Sequence, residues 1–77
     1  MQIKVSLFSV FREKLPPDSH GKTTIELAEG GMLKDLLAAL DIQIAATCSV
    51  NGQLEYHQTA RLKDGDQVQI FRMVGGG

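Results

Sequence analysis

Only one stretch of this chain has a helical apolar period. Leu33, Leu36, Leu37 and Leu40 fall at i, i+3, i+4 and i+7 and form a single stripe. A lone amphipathic helix must bury that stripe against something else, and the remaining apolar residues alternate as strands do. The expected solution is a helix laid across one face of a sheet, the other face being left to water or to a partner. In a chain of 77 residues, near the lower size limit for one independent core, each buried leucine of the stripe matters. Each contributes about 1.5–3 kcal/mol. Lys34 and Asp35 fall on the wet side, with Asp35 at the favourable end of the dipole. Gly30-Gly31 offers a poor start to the helix. Asp41 sits at the unfavourable end, with no evident reason from charge.

The strands read as follows. Gln2 to Ser9 alternates, with Ile3, Val5 and Leu7 inward and Lys4, Ser6 and Phe8 outward; an aromatic facing away from the core is the anomaly. Val10 to Leu15 suits a short helical turn that Pro16-Pro17 must end, and Asp18-Ser19-His20-Gly21 is turn material. Thr23 to Ala28 forms a second strand, antiparallel to the first, with Ile25 and Leu27 inward. Ala46 to Val50 is a third, with Ala46, Cys48 and Val50 inward and Thr47 and Ser49 outward. Asn51-Gly52 marks a tight turn. Leu54-Glu55-Tyr56 supplies a short strand or edge. Leu62-Lys63-Asp64-Gly65-Asp66 turns the chain into a last strand, Gln67 to Val74, with Val68 and Ile70 inward and Phe71 and Met73 on the opposite face.

This last strand and the first have the strongest β character and belong side by side in the middle of the sheet. The expected fold is α+β: a β-grasp, ubiquitin-like, with a mixed sheet of four to five strands covered on one face by one main helix. Residues 1–74 form the β-grasp domain and residues 75–77 a flexible tail. Three glycines there make a slim tether that carries one free carboxylate where side chains would collide.

Composition narrows the function. Eight basic residues stand against nine acidic, for a net charge of -1, and no basic cluster or aromatic platform suggests nucleic acid. No apolar run is long enough to span a bilayer, and the N-terminus lacks a secretory layout. A single cysteine, Cys48, forms no internal disulfide, so the expected location is cytoplasmic. Cys48 alternates with Ala46 and Val50 as a core residue would. His20 and His57 lie in loops without a second ligand at metal spacing, so no metal site is expected. Asp64 and Asp66 flank a turn and suit turn chemistry. Arg12 and Glu13 read as a solvated pair or a partner contact.

Taken in order, several stretches resemble the MoaD/ThiS family of ubiquitin-like sulfur carriers over nearly the full length. They are Ile3-Lys4-Val5, Phe8, Phe11-Arg12-Glu13, Asp35-Leu36-Leu37, Val50-Asn51-Gly52, Leu62-Lys63-Asp64-Gly65-Asp66-Gln67-Val68 and the terminal glycines. The resemblance implies that the Gly77 carboxylate is adenylated by a ubiquitin-activating-type enzyme, which consumes ATP. Sulfur from a persulfide donor then converts it to a thiocarboxylate, with Gly75 and Gly76 as the tether. It implies no permanently bound cofactor and no catalysis by the carrier itself. It also implies docking of Phe8, Leu54, Phe71 and Met73 on the activating enzyme and on a synthase. The first half, with Phe11-Arg12-Glu13 and Pro16-Pro17, is similar to the small subunit of molybdopterin synthase. The ending Met73-Val74-Gly75-Gly76-Gly77 is more similar to a thiamin carrier. The expected acceptor is therefore the molybdopterin synthase large subunit or, alternatively, thiazole synthase. A non-carrier binding module and a lysine-conjugated modifier are the other readings.

Overall fold

The computed structural model describes residues 1–72, so Met73, Val74 and the glycines Gly75, Gly76 and Gly77 lie outside the described residues. Five strands form one sheet: β1 (Gln2–Leu7), β2 (Lys22–Glu26), β3 (Thr47–Val50), β4 (Gln53–Glu55) and β5 (Gln67–Phe71), with helix α1 (Leu33–Ala39) between β2 and β3. The strand order is β2-β1-β5-β3-β4. β1 pairs antiparallel with β2 and parallel with β5, and β3 pairs antiparallel with both β5 and β4. This is the expected mixed β-grasp sheet, with the first and last strands side by side at its centre.

The core lies between the helix and one sheet face. Ile3, Val5 and Leu7 of β1, Val68 and Ile70 of β5, Cys48 of β3 and Leu33, Leu36 and Leu37 of α1 are all buried. Leu40, the fourth residue of the stripe, caps the helix and packs at the margin of this cluster. Phe11 joins the core from a 3-10 helix at Ser9–Lys14, one residue earlier at each end than the turn expected over Val10 to Leu15. Leu15 is extended, as the residue before a proline must be.

Both ends of α1 are better closed than charge and propensity suggest. Met32 is the N-cap, and its N–H donates to the Asp35 carboxylate at 2.8 Å. Leu33 N–H donates to Ala60 O at 2.9 Å and Lys34 N–H to Gln58 O at 2.8 Å, so a distant loop satisfies the first turn. At the other end Asp41 is left-handed at φ 55°. Ile42 N–H donates to Leu37 O at 2.9 Å and Asp41 N–H to Ala38 O at 3.0 Å, a Schellman closure. Aspartate is among the few residues that tolerate this conformation. Asp41 is therefore placed by backbone geometry, and Lys14 Nζ donates to its carbonyl at 2.8 Å.

The turns hold as expected. Asn51 (φ 52°) and Gly52 (φ 86°) close the β3–β4 hairpin. Asp66 accepts from Lys63 N–H at 2.7 Å and from Asn51 Nδ2 at 2.9 Å, and Asp64 accepts from Gln2 N–H at 2.6 Å. Their turn role is thereby clear.

Several expected bounds differ, β1 ending at Leu7 and not Ser9 and β4 covering Gln53–Glu55 and not Leu54 to Tyr56. β5 is described as Gln67–Phe71, and Met73 and Val74 of its expected span lie outside the described residues. β2 covers Lys22–Glu26 and not Thr23 to Ala28, although Leu27 N–H still donates to Met1 O at 2.9 Å. β3 starts at Thr47, after Ala46. Ser49 faces outward but is buried beneath its neighbours, and its hydroxyl donates to Gln69 Oε1 at 3.1 Å.

Two substitutions test the packing. Leu36→Ala, at 0% exposure, should cost about 2–5 kcal/mol, read from the urea midpoint. Gly21 has φ +75°, and an added Cβ would lie 2.5 Å from Leu7 O. Gly21→Ala should therefore destabilise by more than about 1 kcal/mol in the same assay.

Candidate functional site

The helix covers one sheet face, and the other is open. Alternation along β1 continues through Phe8, whose backbone is extended (φ -125°, ψ 161°), so its ring falls on the open side. Phe8 N–H donates to Ile70 O at 3.0 Å, which sets Phe8 beside Phe71. Phe71 pairs in turn with Thr47. Leu54 lies opposite Ser49 on β4. Phe8 is 43% exposed and Leu54 48% exposed, while Phe71 is half-buried between its neighbours. The structure thus brings Phe8, Phe71 and Leu54 onto one face. The fourth expected docking residue, Met73, lies outside the described residues, as do Gly75, Gly76 and Gly77.

The open face has two characters. Across its middle, one row in register reads Lys22, Ser6, Gln69, Ser49, Leu54. On the β2 side a polar depression is lined by Lys4, Ser6, Lys22, Thr24, Gln67 and Gln69. The apolar side chains collect at the end of the face from which the chain leaves β5. Two aromatics at that end, with Leu54 two strands away in the middle row, form the kind of exposed apolar surface that marks an interaction site.

Sequence reasoning missed three further exposed apolar groups. Tyr56, one residue beyond β4, is 77% exposed, and Val10 and Ile44 are also large exposed apolar groups. Tyr56 follows the Leu54 alternation by two residues, which was the available signal. Val10 and Ile44 lie in a 3-10 helix and a loop, where no period announces which way a side chain points.

His20 adopts φ 56° in the turn before β2, and the His57 ring contacts Glu55 Oε2 at 3.3 Å. That is the one ion pair among the described residues, so Arg12 and Glu13 do not pair; the Arg12 stem lies against Gly21. The Glu55 carboxyl is held below its usual range, first by the backbone N–H of His57 and then by its ring. Among the described residues no group of three His, Cys, Asp or Glu side chains could hold a metal ion. No helix there is long and apolar enough to cross a membrane. Cys48 is 3% exposed, and burial pushes its thiol up from the ordinary value.

A family model described as the ThiS family matches residues 5–77. The chain belongs to the ThiS family. The resemblance read from Phe8, Val50-Asn51-Gly52 and the terminal glycines is therefore borne out, and the match runs through the tail. Among solved structures, a Pyrococcus furiosus protein provisionally assigned as molybdopterin converting factor, subunit 1, is similar at 27% identity and TM-score 0.77. The alignment covers 96% of this chain and 99% of that one. A complex of subunits 1 and 2 of molybdopterin-converting factor from Helicobacter pylori matches at 24% identity and TM-score 0.68, over 100% of both chains. Small archaeal modifier protein 1 of Haloferax volcanii shares the fold at 16% identity and TM-score 0.76, over 95% of this chain and 98% of that one. No protein of curated function matches the chain in sequence.

The Cys48 environment yields a prediction. A thiol whose pKa is raised in the folded state keeps its contribution to stability at low pH and loses it as pH climbs through the thiol range. Cys48 should react with a thiol reagent at least about tenfold more slowly in the native protein than in urea, because only the thiolate attacks. Its burial should also make stability fall above the pH at which a free thiol ionises. Both are read from reagent kinetics and urea titrations at several pH values.

Proposed function

We infer that this chain is a sulfur carrier that acts through the carboxylate of Gly77, in the cytoplasm, and serves molybdopterin synthesis. The supporting observation is the ThiS-family match across residues 5–77, terminal glycines included. The likeness to a protein assigned as molybdopterin converting factor subunit 1, at 27% identity, favours that pathway.

The chemistry follows from the weakness of a carboxylate as an electrophile. In the activating enzyme, a Gly77 oxygen attacks the α-phosphorus of ATP and pyrophosphate leaves. The outer sulfur of a donor persulfide then attacks the carbonyl carbon and AMP departs with that oxygen, leaving an acyl disulfide. A second thiol attacks the donor's own sulfur, breaking the S–S bond. The thiocarboxylate is freed, and the thiol and donor leave joined as a disulfide. The sheet domain contributes positioning. The open face with Phe8, Phe71 and Leu54 docks the partner, and the glycines deliver the acid to a site that supplies the charge stabilisation. Catalysis then belongs to the activating enzyme and the synthase.

Thiamin synthesis is the second reading, favoured by the family matched and by the three closing glycines. Rescue of a molybdenum-cofactor or a thiamin auxotroph separates the two pathways.

Incubation with a cognate activating enzyme, ATP and a persulfide donor should exchange one oxygen for sulfur in the intact mass. Deletion of Gly77 should abolish this exchange without shifting the thermal melt. An unchanged mass would support a binding module, and adducts on lysines would support a protein modifier. Phe8→Asp should weaken partner binding by about tenfold or more in calorimetry while leaving stability nearly unchanged.

A further inference from the structure

β2 is one border of the sheet. Which of its main-chain groups are already used follows from its register with β1. Leu7 N–H donates to Gly21 O at 2.6 Å and Leu27 N–H to Met1 O at 2.9 Å. Ile3 pairs with Ile25 and Val5 with Thr23. Hydrogen-bonded pairs alternate along an antiparallel ladder, so Gly21, Thr23, Ile25 and Leu27 turn their amides and carbonyls toward β1. Lys22, Thr24 and Glu26 turn theirs to the free border. All three side chains are exposed and share the open face, Lys22 opposite Ser6 and Thr24 opposite Lys4.

We propose that this border pairs antiparallel with the same border of a second copy of the chain, with Thr24 on the two-fold axis. Lys22 then lies opposite the partner's Glu26, and Glu26 opposite the partner's Lys22. Thr24 meets the partner's Thr24. On the helix side, Thr23 meets the partner's Ile25. Opposite charges and paired threonines in these positions stabilise an antiparallel ladder. Lys22, Thr24 and Glu26 of each copy donate an N–H and accept at a carbonyl, so the free border is used throughout. Parallel pairing in the same place would set lysine against lysine and glutamate against glutamate. A lysine on a sheet border ordinarily discourages edge-to-edge pairing. Here the residue that answers it stands at the mirrored position, so the border is guarded against foreign strands and matched to itself.

The two-fold axis stands perpendicular to the sheet. Both helices fall on one side and both open faces on the other, and the two β5 strands point in opposite directions. Phe8 continues β1, one strand in from the joint, and Phe71 and Leu54 lie farther still, so the face assigned to a partner stays free. The inference stands independently of sulfur transfer. A single five-residue strand buries less than the roughly 800 Å² per partner of a standard interface, so the dimer is weak and concentration-dependent. Its exposed charge pairs make it salt-sensitive.

Sedimentation equilibrium of the full chain up to about 1 mM, at low and high salt, tests the proposal. Amide NMR spectra over the same range accompany it. The expected result is a reversible monomer–dimer equilibrium that weakens with salt. The amides of Lys22, Thr24 and Glu26 should shift with concentration while those of Phe8, Leu54 and Phe71 stay fixed. K22E and E26K should each weaken self-association by about tenfold, from cross-strand repulsion at two symmetric positions. Mixed in equal amounts, they should recover it as a heterodimer, an outcome no folding defect can produce. Thr24→Pro, which removes the central outward donor and leaves the β1 ladder intact, should abolish it. A monomer at every concentration would overturn the proposal. So would a mixture no more associated than either variant alone, or shifts confined to Phe8, Leu54 and Phe71.

Discussion

The parallel pairing of β1 with β5 is the contact on which the rest of the molecule depends. It joins Lys4 to Gln67 and Leu7 to Ile70, residues from opposite ends of the chain. Its inner face, Val5 and Leu7 against Val68 and Ile70, is the floor on which the helix packs. Its register is pinned where β5 begins. Gln2 N–H binds the Asp64 carboxylate at 2.6 Å, Gly65 N–H binds Gln2 O at 2.8 Å and Lys4 N–H binds Asp66 O at 2.9 Å. The border strands β2 and β4 are held by this pair only through one neighbour each, β1 and β3.

The same pairing shapes the open face. Because β1 and β5 run the same way, the end of β1 and the end of β5 lie together, and Phe8 comes to sit beside Phe71. β3 runs the other way and starts at that end, which brings Thr47 alongside. The apolar groups therefore gather where the chain departs toward its glycines. A partner gripping this end would hold the chain next to its last described residue, Arg72. The polar half of the face, with Lys4, Lys22 and Thr24, lies toward β2, away from that end.

Much of the fold was legible in the sequence because local periods carried it. The spacing of Leu33, Leu36 and Leu37 demanded one helix, and the alternation of β1, carried on through Phe8, put that ring outside. Asn51-Gly52 announced its turn through conformations few other residues accept. What stayed hidden was set by contacts distant in sequence or by backbone geometry that charge does not report. The start of the helix is satisfied by Gln58 and Ala60, which no local cap rule anticipates. Asp41 looked misplaced while only its charge was weighed; its φ of 55° supplies the reason. Ser49 is covered by strands whose order had to be known first. Of the candidate site, Phe8, Leu54 and Phe71 could be assigned a face from parity alone. Val10 and Ile44 could not, since they lie in a 3-10 helix and a loop.

The central strand is also the last to be made. During synthesis, β1 emerges with the slot beside it vacant, and β3 and β4 have nothing to join them to β1 and β2 until residues 67–71 are available. Loop closure over that separation is slow compared with local helix or hairpin formation. A nascent chain interrupted before this point therefore lacks the assembled open face. The order of translation alone keeps an unfinished copy from presenting that face.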